Sequence, residues 1–212
     1  IIDTVRDFIL YLKLCNRTKD CTFYFLKNEY FKDFPSKGLL ENKEPTKEAY
    51  HGRPYYYVLK DKKNDIYWMI PISSKVNKYQ KIYDEKISKY GKCDNIVFGD
   101  VSYKKRVFLI QNMCPATSKY IQDQYKISNQ PVTISKHLQK ELYIKANRIL
   151  NLVKTKDMKL IFPDVKKIEQ KLIQQLEQEK KVAIQIQKSK PHKQKIVMTF
   201  PNRNNNNRGK GR

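Results

Sequence analysis

The sequence predicts an α+β fold built on a small, strongly bent antiparallel sheet or barrel, with helices added late in the chain. Three observations lead there. Five β-prone runs, four of them in two tight hairpins, lie between residues 22 and 112. Two stripes of apolar residues at helical spacing follow. Beyond residue 185 the chain holds eight Lys or Arg and no Asp or Glu, and it ends in the low-complexity run NRNNNNRGKGR. That composition predicts a disordered basic tail over 185–212.

Each element has a local reason. Val5, Phe8, Ile9 and Leu12 share one helical face, so residues 1–20 read as an amphipathic helix and a linker. TFYFLK (22–27) reads as a strand, and NEYFKDFPSKGL as a helical or irregular segment closed by Pro35 and Gly38. YYYVLK (55–60) and IYWMIPI (66–72) flank KDKKND, where Asn64-Asp65 supports a turn. Pro71 predicts that the second run ends there or lies at a sheet edge. A helix is expected in YQKIYDEKI. NIVFGDV (95–101) and RVFLIQN (106–112) form a second hairpin around SYKK. Leu138, Leu142, Ala146, Ile149, Leu150 and Val153 make an apolar stripe, with Ser135 as its N-cap. A last helix begins near Pro163-Asp164 and carries Val165, Ile168, Leu172 and Leu176.

Charge narrows the function. The 212 residues carry 44 Lys plus Arg against 21 Asp plus Glu, a net charge of +23. Such an excess repels itself and points to an anionic partner, nucleic acid or a charged membrane. With eight cations in the tail, +15 of the +23 remains on the folded part. The 15 Tyr and 9 Phe supply a core, so the chain as a whole is not disordered. Only 6 Gly argues against a Gly-rich nucleotide-binding fold. No apolar run reaches the roughly 18 residues of a membrane span. The cysteines, Cys15, Cys21, Cys93 and Cys114, form no C-x-x-C pair. They read as reduced thiols in a cytoplasmic protein, with no metal and no cofactor.

The stretch His51-Gly52-Arg53-Pro54 precedes the first strand of the first hairpin, and Ser73-Ser74-Lys75 follows the second. Antiparallel pairing sets the start of one strand beside the end of the next. A His, an Arg, two hydroxyls and Lys at one spot suit a phosphate: Arg grips it with two bonds, Lys adds a point charge, and Ser donates. Such a set can also cleave RNA by orienting the ribose 2′-hydroxyl, moving its proton, stabilising charge on phosphorus and protonating the 5′-oxygen. Plainer roles stand beside these. His51 can be a surface turn residue, and Arg53 can pair with a carboxylate. Ser73-Ser74 can cap a helix, Lys75, Lys78 and Lys81 can form a solvated face, and Tyr55–Tyr57 can serve the sheet.

The block order FYFLKNEY (23–30), RPYYYVL (53–59), YWMIPISSK (67–75), VFLIQNMCPATSKYI (107–121) and LQKELYIKANRIL (138–150) resembles the toxins of type III toxin–antitoxin systems, the ToxN/AbiQ family, with its CptN-like branch nearest. The resemblance covers about residues 22–160. It implies an SH3-like barrel decorated with helices, with the toxin-like domain over 21–184. It also implies a metal-independent endoribonuclease acting in phage defence that leaves a 2′,3′-cyclic phosphate and a 5′-hydroxyl. The partners implied are mRNA substrates and an RNA antitoxin pseudoknot, which is processed from a repeated precursor and held in a toxin–RNA hetero-oligomer. Ser73 and Ser74 match the family's hydroxyl pair. The family's Lys two residues further on is Val76 here, so Lys75 or Lys78 substitutes for it, and Arg53 stands near a second basic position. The expected catalytic set is Ser74, Ser73, Lys75, Arg53 and His51, the last as proton carrier. Lys78, Lys81, Tyr50 and Lys140 are the expected RNA contacts. The main rival is a non-catalytic nucleic-acid binder. A peripheral membrane protein using residues 1–14 ranks last, because Phe8, Ile9 and Leu12 give only a small apolar face.

Overall fold

The computed structural model describes residues 22–42, 52–61 and 63–189. The expected helix within 1–20 and residues 190–212 of the tail lie outside these. The chain divides into two units, Ile1–Leu176 and Glu177–Arg212. Of the second, the described part is the C-terminal portion of a helix, which continues to Ser189, past the composition change at 185.

In the first unit the elements run β1 (Phe23–Leu26), α1 (Asn28–Asp33), β2 (Pro54–Asp61), β3 (Ile66–Ser73), α2 (Val76–Tyr90), β4 (Ile96–Val101), β5 (Lys104–Leu109), a 3-10 turn (Ile110–Asn112), β6 (Cys114–Ala116), β7 (Ile121–Gln124), β8 (Lys126–Ile127), β9 (Gln130–Pro131) and α3 (Lys136–Lys156). The start of α4 (Val165–Ser189) completes it. All five β-prone runs are strands. The main sheet is antiparallel in the order β4-β5-β3-β2-β1-β7, with β6 pairing β3 off this path. Among the described residues it does not close: β4 and β7 end the path as its two edges, so of the expected bent sheet or barrel the structure shows an open sheet.

β3 is central, which overturns the edge position expected from Pro71. One side of β3 pairs with β2, Tyr55 opposite Pro71 and Tyr56 opposite Ile70. The other side changes partner midway: Tyr67, Trp68 and Met69 pair with β6, and Ile72 and Ser73 with β5. Pro71 falls in the gap between those two ladders. Tyr57 donates its N–H to Thr22 O, toward β1, so Tyr55 two residues away faces β1 as well. Pro71, opposite Tyr55, therefore owes β2 no hydrogen bond and points its N–H-less nitrogen into the gap. Register slips by one between Tyr57 and Leu59, a bulge that adds twist. The short strands β6 and β7 escape sequence reading, since CPA carries a proline and IQDQ no apolar alternation.

The core is aromatic. Trp68, Tyr30, Tyr55, Tyr56, Phe23 and Phe108 are fully buried, so the tyrosines of β2 serve the sheet as their plainer reading held. On α3 the buried residues are Leu138, Leu142, Ala146, Ile149, Leu150 and Val153, the predicted stripe. Ser135 caps it by accepting from Leu138 N at 3.2 Å. Leu138 sits where Gly99 of β4 would carry a Cβ, its Cδ2 at 2.2 Å from that position, so any side chain there would displace the leucine that packs α3 on the β4–β5 hairpin. α2 packs on a second apolar cluster through Val76, Tyr79, Ile82 and Tyr83. Cys93 and Cys114 are free thiols, and no helix among the described residues is long and apolar enough to cross a membrane.

Tyr30 donates to Pro115 O at 2.7 Å beside the buried Cys114. Burial pushes the Cys114 thiol up to about 12. Burial, with Cys114 adding to it, holds the Tyr30 phenol well above its usual range. Both groups are uncharged when protonated, so their raised values in the folded state stabilise the fold fully at lower pH. That contribution is lost as pH rises from the ordinary thiol value of 9.0 toward 12. Urea denaturation should therefore give a midpoint that falls between pH 9 and 12. Cys114→Ala should lessen that slope by up to about 1.4 kcal/mol per pH unit.

Candidate phosphate site at the end of the first hairpin

The site lies where β2 begins and β3 ends. Segment 39–42 holds the entry to β2. Asn42 accepts from Arg53 N at 3.0 Å and donates to Leu26 O at 2.7 Å and to Asn28 Oδ1 at 2.9 Å. Gly52 lets this amide approach, since a Cβ there would lie 2.8 Å from Asn42 Oδ1. The Tyr55 hydroxyl donates to Leu40 O. Burial pushes that phenol well above its usual range, Cys114 adds to the effect, and Arg53 opposes it. Tyr55 thus stays neutral and serves as a strut, not a proton carrier.

Held this way, Arg53 reaches across to β3 and donates from Nη1 to Ile72 O at 3.0 Å. Its Nε is buried and has no hydrogen-bond partner among the described residues. Next to Ile72, Ser73 is buried, and its Oγ accepts from Lys75 N at 3.2 Å. That bond shapes the turn out of β3 and leaves the hydroxyl proton of Ser73 able to donate. Ser74 and Lys75 are exposed. The hairpin therefore gathers Arg53, Ser73, Ser74 and Lys75, four of the five expected catalytic residues. His51 and Tyr50 lie outside the described residues. Lys78 and Lys81 are exposed on α2, Lys78 with its Nζ 5.9 Å from the Tyr79 ring. Lys140 is exposed on α3, an element apart from this turn.

Sequence reasoning missed the way α2 starts. Lys75 is its N-cap, no side chain caps it, and its first turn holds no acidic residue. Helix starts favour Asp or Glu and a Ser, Thr, Asp or Asn cap, because the first amides are unpaired and carry partial positive charge. Here Lys75 and Lys78 add charge of the same sign. Such a start is unfavourable in isolation and suits an anion seated by Ser74. The signal was present in the sequence: SSKVNK has no acidic residue. The missed neighbour is Asn42, which lies too far from Arg53 in sequence to suggest the contact. Among the described residues no group of three or more His, Cys, Asp or Glu could hold a metal ion.

No family model matches the sequence, and no curated protein matches it. Among solved structures the chain is similar to AbiQ, a lactococcal anti-phage endoribonuclease belonging to the type III toxin–antitoxin system. The TM-score is 0.54 at 15% identity, and the match covers 72% of this chain and 96% of AbiQ. The two share a fold over nearly the whole of AbiQ.

Replacing Asn42 tests the support of the site. Asn42→Ala leaves Arg53 N and Leu26 O without their partner and should destabilise the chain by about 1–3 kcal/mol in urea. Asn42→Asp keeps the acceptor for Arg53 N but sets a carboxylate oxygen against Leu26 O and Asn28 Oδ1, and should lose at least as much.

Proposed function

We propose that the chain is a metal-independent endoribonuclease toxin of the type III toxin–antitoxin kind. It cuts single-stranded RNA to a 2′,3′-cyclic phosphate and a 5′-hydroxyl, and a small RNA pseudoknot that it processes restrains it within a toxin–RNA assembly. The main support is that one turn gathers Arg53, two serine hydroxyls and an uncapped, lysine-bearing helix start. The fold shared with AbiQ, named as an endoribonuclease, adds to it.

In this reading the scissile phosphate sits at Ser74. The Ser73 and Ser74 hydroxyls orient its oxygens, with the N–H groups of Asn77 and Lys78 in the first turn of α2 beyond Val76, whose own N–H is bonded to Ser74 O. Arg53, Lys75 and Lys78 stabilise the charge that grows on phosphorus. The buried Nε of Arg53 gains an acceptor if a phosphate oxygen reaches it, which favours the charged transition state. The 2′-oxygen attacks the adjacent phosphorus and loses its proton, the P–O5′ bond breaks, and the 5′-oxygen takes up a proton. His51 is the proposed proton carrier. RNA incubated with the protein in EDTA should yield cyclic-phosphate ends. Ser74→Ala should lower kcat/KM by about 10²–10³ while changing RNA affinity less than about threefold. Intact RNA that shifts in a salt-dependent manner would instead identify a binder without catalysis.

A further inference from the structure

β4 and β5 are joined by Ser102 and Tyr103, both with positive φ, 49° and 62°. This is the two-residue turn whose twist suits a hairpin, and its sterics favour Asn-Gly. Serine and tyrosine each carry a steric cost there that glycine avoids. Tyr103 is fully exposed, at 105% of its reference area, so burial does not offset that cost. The residues that follow are Lys104, Lys105 and Arg106, the lysines exposed and Arg106 half-buried. The one acidic residue of the two strands is Asp100, opposite Lys105.

The tip is placed with respect to the phosphate site. Val107 pairs with Ser73, the last residue of β3, and Phe108 pairs with Ile72. Because the strands are antiparallel, β5 continues through Arg106 and Lys105 to the tip on the side where β3 gives way to Ser74 and Lys75. Tyr103 lies four residues beyond the Ser73–Val107 pair, about 14 Å at strand spacing. That is a span of a few nucleotides. Gly99, closed over by Leu138 of α3, and Phe98, edge-on to Tyr83 of α2 at 5.5 Å, hold the hairpin from both faces.

We propose that this tip is a second contact for single-stranded RNA. Tyr103 stacks on an unpaired base, and Lys104, Lys105 and Arg106 hold the flanking phosphates of a strand whose cleaved bond lies at Ser74. The contact rests on the ribonuclease reading for its orientation along the strand, but its binding is measured independently of cleavage. Stacking on an exposed aromatic tolerates any base and fits an unpaired strand.

Glycine at Tyr103 separates the ring from the fold, because it removes the stack and relieves the left-handed strain together. The probe is an end-labelled, random-sequence single-stranded RNA, 2′-O-methylated so that it cannot be cut, read by fluorescence anisotropy. Tyr103→Gly should bind about tenfold more weakly, with a Tm equal to or above that of the unaltered chain. Tyr103→Asn, which also tolerates the conformation, should do the same, and Tyr103→Trp should keep full affinity. Lys104→Gln with Arg106→Gln should flatten the dependence of affinity on salt, whereas Tyr103→Gly leaves that slope alone. A loss below threefold in both Tyr103→Gly and Tyr103→Asn, or no binding by the unaltered chain, overturns the contact. A weakened Tyr103→Gly in a chain that cuts no RNA keeps the contact and removes the nuclease reading instead.

Discussion

The antiparallel pairing of β2 with β3 governs the rest of the molecule. Tyr55 opposite Pro71 and Tyr56 opposite Ile70 fix the register that carries Arg53 to the end of β3. A slip of one residue would send one strand's side chains to the opposite face of the sheet, undoing the packing of neighbours such as Tyr55 and Tyr56 that are buried on both faces. Arg53 would then lose Ile72 O. β3 is also walled on its other side, by β6 along its first half and β5 at its end. A strand so enclosed has little freedom to shift, and the turn that leaves it inherits that rigidity. The candidate site therefore stands on the least yielding strand of the sheet, although Ser74 and Lys75 themselves are exposed.

Electrostatics runs against stability at the same place. Lysines at the start of α2 meet the positive end of its dipole, which costs about 0.3–1 kcal/mol per charge at an exposed helix end. Arg53 adds a buried donor without a partner among the described residues. The β4–β5 tip repeats the pattern with a tyrosine in a glycine conformation. Each feature is unfavourable in the chain alone, and the proposed RNA ligand would relieve or use each of them. Several other places obey the ordinary rules. Ser135 caps α3, Lys154 lies over the Trp68 ring, and Lys145 pairs with Glu141 one turn away.

What the sequence made legible follows from what acts locally. The α3 stripe was readable residue by residue, because helical spacing and one buried face leave a periodic mark. The two hairpins were readable because β-branched and aromatic runs flank short polar turns. The position of Pro71 was not, since a proline in a central strand is tolerated only where the neighbouring ladder is interrupted, and that interruption is made by β5 and β6 more than thirty residues away. Closure was not legible either: whether the edges of a bent sheet meet depends on twist accumulated over several strands. At the site, the meeting of Arg53 with the Ser73–Lys75 turn follows from hairpin geometry alone. The support from Asn42 does not, because it rests on a loop contact with no periodic signature.

The +23 charge itself does not distinguish a ribonuclease from a passive binder, for counterion release serves both. Position does. Eight cations lie in 185–212, a segment with no acidic residue and little apolar content, which suits attraction without orientation. A reaction needs charge held in register with a reacting atom. Arg53 meets that demand, because its guanidinium is fixed to a backbone carbonyl of the central strand rather than carried on a free side chain. Ser73 meets it as well, its oxygen already engaged by Lys75 N and its one proton left to aim. The burial of Ser73 and the anchoring of Arg53 are what the proposed cleavage would need to orient a phosphate, and orientation is what separates cutting a strand from holding it.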